Sequence, residues 1–301
     1  MPSVYIVMVC LVLLSVNSIF FMVFLFRVLS LLPLCVLHAL GGALGRLIYC
    51  LSPTYRRHLQ ENLAQAGIDP ALRGQVAAET GKQMVELARI WMRPLEEAVP
   101  LVTEVVGWEH VEAARQAGKG IVFLTPHLGC FEITAQYLSS FGDITVLYRA
   151  PKSASAQELI LMGRKREKLH LAPADLSGVR ALIKALKKGE MVGMLPDQAP
   201  KTGEGVWLKF FGRYAYTMTL AARLTETGAA SLLTWGERLP GGRGYRVHFQ
   251  PPQTPLAGST VERAQQINTE IEALIRQCPT QYLWGYNRYK RPGGAESPPA
   301  E

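Results

Sequence analysis

A chain of 301 residues is long enough for one large domain or two small ones. Its 49% hydrophobic and 19% charged residues fit a globular protein with extra apolar surface, and a net charge of +8 favours nucleic acid, acidic carrier proteins or phosphorylated lipids as partners. The cysteines (Cys10, Cys35, Cys50, Cys130, Cys278) are widely spaced and form no Cys-x-x-Cys pair, which removes support for a zinc ribbon or thioredoxin-type site and suits a reducing compartment.

No charged side chain occurs from Pro2 to Phe26, and a second apolar stretch runs from Val28 to Leu44 with only His38 as a titratable interruption. About twenty apolar residues suffice to span a bilayer. A cleaved signal peptide fits poorly, because no Lys or Arg precedes the apolar core and no small-residue site ends it. Arg46, Arg56 and Arg57 follow, which places the bulk of the chain on the cytoplasmic side. Met22 opens a stretch that by itself reads as a complete anchor, so residues 1–21 read as an over-extended start and 22–50 as the membrane anchor.

Beyond the anchor, Ser52-Pro53 opens a helix that Gly67 closes, and Asp69-Pro70 starts a long one toward Trp91. A third runs from His110 to Ala117. Short apolar runs bounded by turn residues predict buried strands at 120–125, 144–148, 191–195, 231–235 and 245–249. Helices alternate with them near 129–140, 156–169, 178–188, 217–227 and 260–277, the last with Ser259 and Glu262 spaced as a capping box. This alternation predicts an α/β fold, a mixed or parallel sheet flanked by helices. The catalytic domain then covers 51–291, and a Pro/Gly-rich tail at 292–301 reads as disordered.

The segment LTPHLGCFE sets His127 and Glu132 five apart, directly after a buried strand. Residues five apart do not share a helix face, so the histidine belongs in the loop and the glutamate in the first helical turn, facing back. A carboxylate holding the Nδ1 proton leaves Nε2 free as a general base. The same spacing recurs at His170 and Asp175, but a charged stretch precedes it and Pro173 interrupts it, so His170 reads as a solvated turn histidine. Cys130, between Gly129 and Phe131, reads as a small packing residue and not as a nucleophile. The basic stretches Arg164–Lys168 and Lys184–Lys188 could receive an acidic carrier protein or anionic headgroups, or be solvated helix faces. A membrane-tethered binding protein and a thioester hydrolase remain alternatives at this point.

Four blocks in order, GKGIVFLTPHLGCFE, VLYRAPK, MLPDQAPKTGEGVWLKFFG and QYLWGYNRYKRP, resemble the lipid A biosynthesis acyltransferases, the late lauroyl/myristoyl enzymes of outer-membrane bacteria. The resemblance covers about residues 24–292. It implies a glycerolipid acyltransferase-like fold and acyl transfer from acyl carrier protein to a hydroxyl of a lipid A precursor at the inner membrane. It implies His127, Glu132 and Arg149 as catalytic residues and Tyr148, Asp197 and Gln198 as substrate-binding ones. In this reading Arg149 donates to the oxyanion, and nucleic acid is not a partner. Ala150 stands where many members carry proline. No P-loop or dinucleotide fingerprint occurs, so no nucleotide or metal cofactor is implied.

Overall fold

The computed structural model describes residues 19–299 apart from residue 152. The upstream part of the expected over-extended start, residues 1–18, lies outside the described residues. Two apolar helices come first, α1 (Ile19–Ser30) and α2 (Leu34–Leu51), broken where Pro33 removes a backbone donor. Then come α3 (Pro53–Gln65), capped by Ser52 accepting from the Tyr55 N–H, and α4 (Arg73–Met92).

By length and composition α2 could cross a membrane, yet 39% of it is buried inside the protein. The reason is a glycine seam. Gly41 and Gly45, spaced as a GxxxG pair, lie against Ala77 and Gly81 of α4, and a Cβ at Gly45 would overlap the carbonyl of Ala77. His38 adds a polar tie, its Nε2 lying 3.0 Å from the Glu86 carboxylate. The expected anchor is therefore two helices, and the second is docked onto the domain. Its outer face stays apolar and exposed at Leu40, Leu47 and Leu51, continuous in character with Phe20, Phe24 and Leu31 before it.

The rest of the chain builds a mixed sheet, as the alternating pattern predicts, from β1 (Val102–Val106), β2 (Ile121–Leu124), β3 (Ile144–Tyr148), β4 (Leu169–Pro173), β5 (Met191–Met194), β8 (Ala230–Arg238) and β9 (Tyr245–Gln250). Their order across the sheet is β1-β9-β8-β2-β5-β3-β4. A separate antiparallel hairpin joins β6 (Gly205–Phe210) to β7 (Arg213–Met218). β2 is buried on both faces, and its alternating side chains enter two different cores. Val122 and Leu124 pack toward Leu182, Val192 and Ile271; Ile121 and Phe123 pack toward Ile133, Leu138 and Val146. Burying each such side chain contributes about 1.5–3 kcal/mol.

Helices cover both faces: α5 (Leu95–Ala98) and α6 (Trp108–Gln116), α7 (Phe131–Ser139), α8 (Ala154–Arg164), α9 (Leu176–Lys187), α10 (Leu220–Thr225) and α11 (Thr260–Gln277). The capping box at Ser259 and Glu262 forms as expected. Two expectations change. The helix expected over 156–169 ends at Arg164, and the chain turns into β4. The tail expected to be disordered has no regular structure over 292–299, but it is pinned. The Trp207 indole donates to the Glu296 carbonyl, Arg291 donates to the Ala295 carbonyl, and Ala295 is buried.

Candidate active site

β2 and β5 are parallel neighbours, with Leu124 opposite Met194. Each strand is followed by one residue, a proline, and then a polar residue: Thr125-Pro126-His127 after β2, Leu195-Pro196-Asp197 after β5. Equal excursions from paired strand ends bring the polar residues together at the C-terminal edge of the sheet, where α/β folds gather ligand sites. His127 Nδ1 lies 2.8 Å from Asp197 Oδ1, and the His127 backbone N–H donates to Asp197 Oδ2 at 3.0 Å. Asp197 is 2% exposed and His127 half-buried. Burial pushes the Asp197 carboxyl up, but the His127 charge and its hydrogen bonds outweigh that and hold it below the ordinary carboxylate range. The carboxylate therefore stays ionised and favours the Nδ1–H tautomer, which leaves Nε2 as an acceptor. There the Gln198 carboxamide meets Nε2 at 3.2 Å.

The carboxylate at Nδ1 is thus Asp197, not the Glu132 expected from the five-residue spacing. Gly129, left-handed at φ +59° and pressed against the Gly236 carbonyl, turns the loop. Glu132 then falls in the first turn of α7, where it forms an ion pair with Arg164. Arg164 Nε donates to Glu132 Oε2 at 3.0 Å and the Trp91 indole donates to the same oxygen at 3.1 Å. The sequence did carry a signal for Asp197: IVFL-x-Pro-His and MVGM-x-Pro-Asp are the same pattern written twice.

The structure gathers His127, Asp197 and Gln198, with Tyr148 one strand further on. Tyr148 is 8% exposed, and its buried hydroxyl has no hydrogen-bond partner among the described residues. Burial pushes this phenol up, with the Arg164 charge opposing. Arg149 lies apart on the rim, half-exposed and paired with Glu204 at 3.3 Å. The Cys130 thiol is pushed well up by burial and then by the Glu86 charge, so it packs as a neutral group.

Between α7 and the sheet an apolar cleft adjoins the His127 loop, with Thr125, Phe131 and Leu195 in its lining. Glu132 and Arg164 stand in its lining near the loop, while Phe123, Leu138, Ile144 and Leu169 line its depth. α7 leads away from the loop, and β3 and β4 begin at the far edge of the sheet. Leu138, Ile144 and Leu169 therefore mark the distal end.

The basic stretches resolve differently from one another. Arg164 and Arg166 turn inward, the latter donating to Gln136 and to the carbonyls of Ile90 and Arg93. Lys187 and Lys188 end α9 just ahead of β5, at the edge of the sheet opposite His127. His170 lies exposed within β4, paired with Asp143 at 2.7 Å, and Asp175 caps α9. This replaces the expected solvated turn.

A family model described as bacterial lipid A biosynthesis acyltransferase matches residues 11–291. The lipid A biosynthesis lauroyltransferase of Escherichia coli K12 is 27% identical over 276 residues, covering 88% of this chain and 89% of that protein. The lipid A biosynthesis palmitoleoyltransferase of the same organism is 26% identical, covering 72% of this chain and 71% of its own length. A phosphatidylinositol mannoside acyltransferase of Mycobacterium tuberculosis is 26% identical, covering 74% of each.

Proposed function

Since the chain belongs to the bacterial lipid A biosynthesis acyltransferase family and is an acyltransferase, we propose that it moves a fatty acyl group from acyl carrier protein to a hydroxyl of a lipid A precursor, with His127 as base. The observation that carries this reading is the His127–Asp197 pair on the two loops whose neighbouring residues Thr125, Phe131 and Leu195 line an apolar cleft. Nε2 takes the proton of the lipid hydroxyl as its oxygen attacks the thioester carbonyl. The tetrahedral intermediate then expels the thiolate, which recovers the proton from the imidazolium. The Gln198 carboxamide stands where the attacking hydroxyl would sit, so it yields to substrate. Tyr148, with its free buried hydroxyl, is the better placed oxyanion donor; Arg149 on the rim suits an anionic part of the incoming substrate. Glu132, held by Arg164 and Trp91, shapes the cleft mouth.

The exposed apolar faces of α1 and α2 suit an embedded inner-membrane surface, with the following arginines on the cytoplasmic side. Phe26 of α1 stacks on Trp91, whose indole donates to Glu132, so the membrane face lies one residue from the cleft lining.

The full chain in detergent, given acyl carrier protein thioester and a glycolipid bearing 3-hydroxyacyl chains, should release thiol in step with acylation of the lipid. Equal thiol release without the lipid would mark a hydrolase, and equal turnover of acyl coenzyme A would remove the carrier protein from the reading.

The cleft gives a second expectation. Ala135 lines it midway along α7, and Ala135→Phe should fill its lower half. Each buried methylene is worth about 0.8 kcal/mol, so losing room for two carbons should shift preference toward shorter donors by roughly tenfold. Competition between donors of two lengths, read by mass spectrometry of the product, measures this. An unchanged product ratio would place the acyl chain elsewhere.

A further inference from the structure

The dyad stands on two connections without helix or strand of their own, residues 125–130 after β2 and 195–204 after β5. One short C-terminal segment reaches both. Toward the first, the Gly129 N–H donates to the Gln281 carbonyl at 3.0 Å, the Leu283 N–H donates to the His127 carbonyl at 3.1 Å, and Leu128 and Tyr282 form an antiparallel bridge. Toward the second, the Tyr286 hydroxyl accepts from the Ala199 N–H at 3.0 Å, and both residues are buried. The segment is itself fixed. Asn62 of α3 donates to the carbonyls of Trp284 at 2.6 Å and Tyr286 at 2.7 Å, and the Trp284 indole donates to the Pro279 carbonyl at 2.7 Å.

Ala199 is where the second connection needs a hold. Pro196 and Pro200 bracket it and have no N–H to give. Asp197 and Gln198, between them, direct their side chains at the two ring nitrogens of His127. Further on the chain is tied separately, the Gly203 N–H donating to the Tyr216 hydroxyl at 3.1 Å and the Thr202 hydroxyl to the Gly293 carbonyl at 2.7 Å. We propose that Tyr286 is a positioning residue for the dyad: its hydroxyl holds the loop that carries Asp197 and Gln198, and its backbone belongs to the segment that registers the His127 loop. The proposal rests on the role of His127 as base. A buried N–H left without its acceptor is costly enough to reshape an irregular loop around it. A catalytic group displaced by about 1 Å can lose on the order of 10² in rate.

Tyr286→Phe in the full detergent-solubilised chain removes one oxygen and leaves Ala199 without its acceptor. It should lower kcat roughly 10- to 100-fold, with KM for the thioester within about twofold. Tyr289→Phe is the control for a purely structural loss. Its hydroxyl also bonds to a backbone group, the Phe210 carbonyl at 2.9 Å, but touches neither loop, so kcat should stay within about twofold. A spectroscopic reading goes with the rates. In chain labelled with ¹⁵N-histidine, the proton on His127 Nδ1, assigned by its absence from His127→Ala, reports the bond to Asp197. Tyr286→Phe should move that signal upfield or lose it to exchange with water, while Tyr289→Phe leaves it in place. If Tyr286→Phe does not accumulate, replacing Tyr286 with 4-fluorophenylalanine keeps the volume with a feeble acceptor, and the same loss and the same signal change are expected. An unchanged kcat, a loss shared equally by Tyr289→Phe, or a loss with the Nδ1 proton unmoved overturns the proposal. An active His127→Ala overturns the base instead, and the Nδ1 signal still reads the geometry of the pair, so the two failures are separable.

Discussion

His127→Ala is expected to reduce acyl transfer about 10²–10⁴-fold, the usual contribution of a general base. The loss is chemical because the variant removes the imidazole proposed as the base. The loop should hold, since its backbone bonds to Gln281, Leu283 and Gly236 are untouched and the residue 127 N–H still donates to Asp197. Asp197→Asn should lose activity by ~10²-fold or more for a different reason. An amide turned to donate to Nδ1 forces the proton onto Nε2, the nitrogen that must be bare. The wild-type carboxylate has its folded pKa held below the ordinary carboxylate value, so the stability it contributes is present above that value and is lost as pH falls through the folded pKa. His170→Ala, with its half-exposed partner Asp143 at the opposite sheet edge, serves as the control and should stay within about threefold. Transfer by His127→Ala within about tenfold of the wild type would rule out the assigned base.

The largest expected effect on stability lies at Arg238. Its guanidinium, 1% exposed, takes both oxygens of Glu86 at 2.8 and 2.7 Å and reaches Glu79 at 2.7 Å. His38 at 3.0 Å and the Tyr245 hydroxyl at 3.0 Å complete the shell of Glu86. Arg238→Met leaves the buried Glu86 without its guanidinium and Glu79 with only Lys82, at 2.5 Å, which costs about 3–5 kcal/mol. Against a total of roughly 5–15 kcal/mol this is a large share. Burial pushes the Glu86 carboxyl up, but Arg238 more than reverses that and holds it well below the ordinary range. Its stabilising contribution is therefore present above the unfolded carboxylate pKa and lost only in strong acid. Without Arg238, burial is opposed only by the remaining contacts such as His38, the carboxyl pKa rises, and the deficit should shrink as pH falls below neutrality. Adding Glu86→Gln and Glu79→Gln to Arg238→Met should recover part of the loss. Melting curves across pH check this, and a deficit under about 1 kcal/mol at neutral pH would mean the network does not hold the fold.

The sequence was legible where periodicity and burial agree. β2, β3, β5 and β8 announce themselves as short apolar runs because each is buried along most of its length, and β9 through alternating buried positions. β1 and β4 did not, since VTEVV and LHLAP are partly exposed edge strands, and the charged run before His170 extended a helical pattern across a real boundary. The hairpin was hidden by its turn. Phe211-Gly212 takes the left-handed conformations that Asn-Gly usually supplies, and Phe211 tolerates φ +47° because its ring is buried beside Trp284. At the site, His127 could be found from one segment. Its carboxylate partner needed the repeated x-Pro-polar pattern to be matched across two distant segments, and that those strands are neighbours is not written locally.

The glycine seam between α2 and α4 bears on how far the enzyme can reach. A catalytic domain on a flexible leash samples many heights above a bilayer, and its substrates need only come within the leash's span. Here Gly41 and Gly45 lock the apolar helix α2 to α4, and Phe26 stacks on the tryptophan that touches Glu132. In the membrane seat proposed above, the cleft would thereby be held at one altitude. An acceptor whose reactive hydroxyl rides higher or lower in the lipid layer would be refused by geometry before any side chain inspects it, which would make depth in the membrane a selector in its own right.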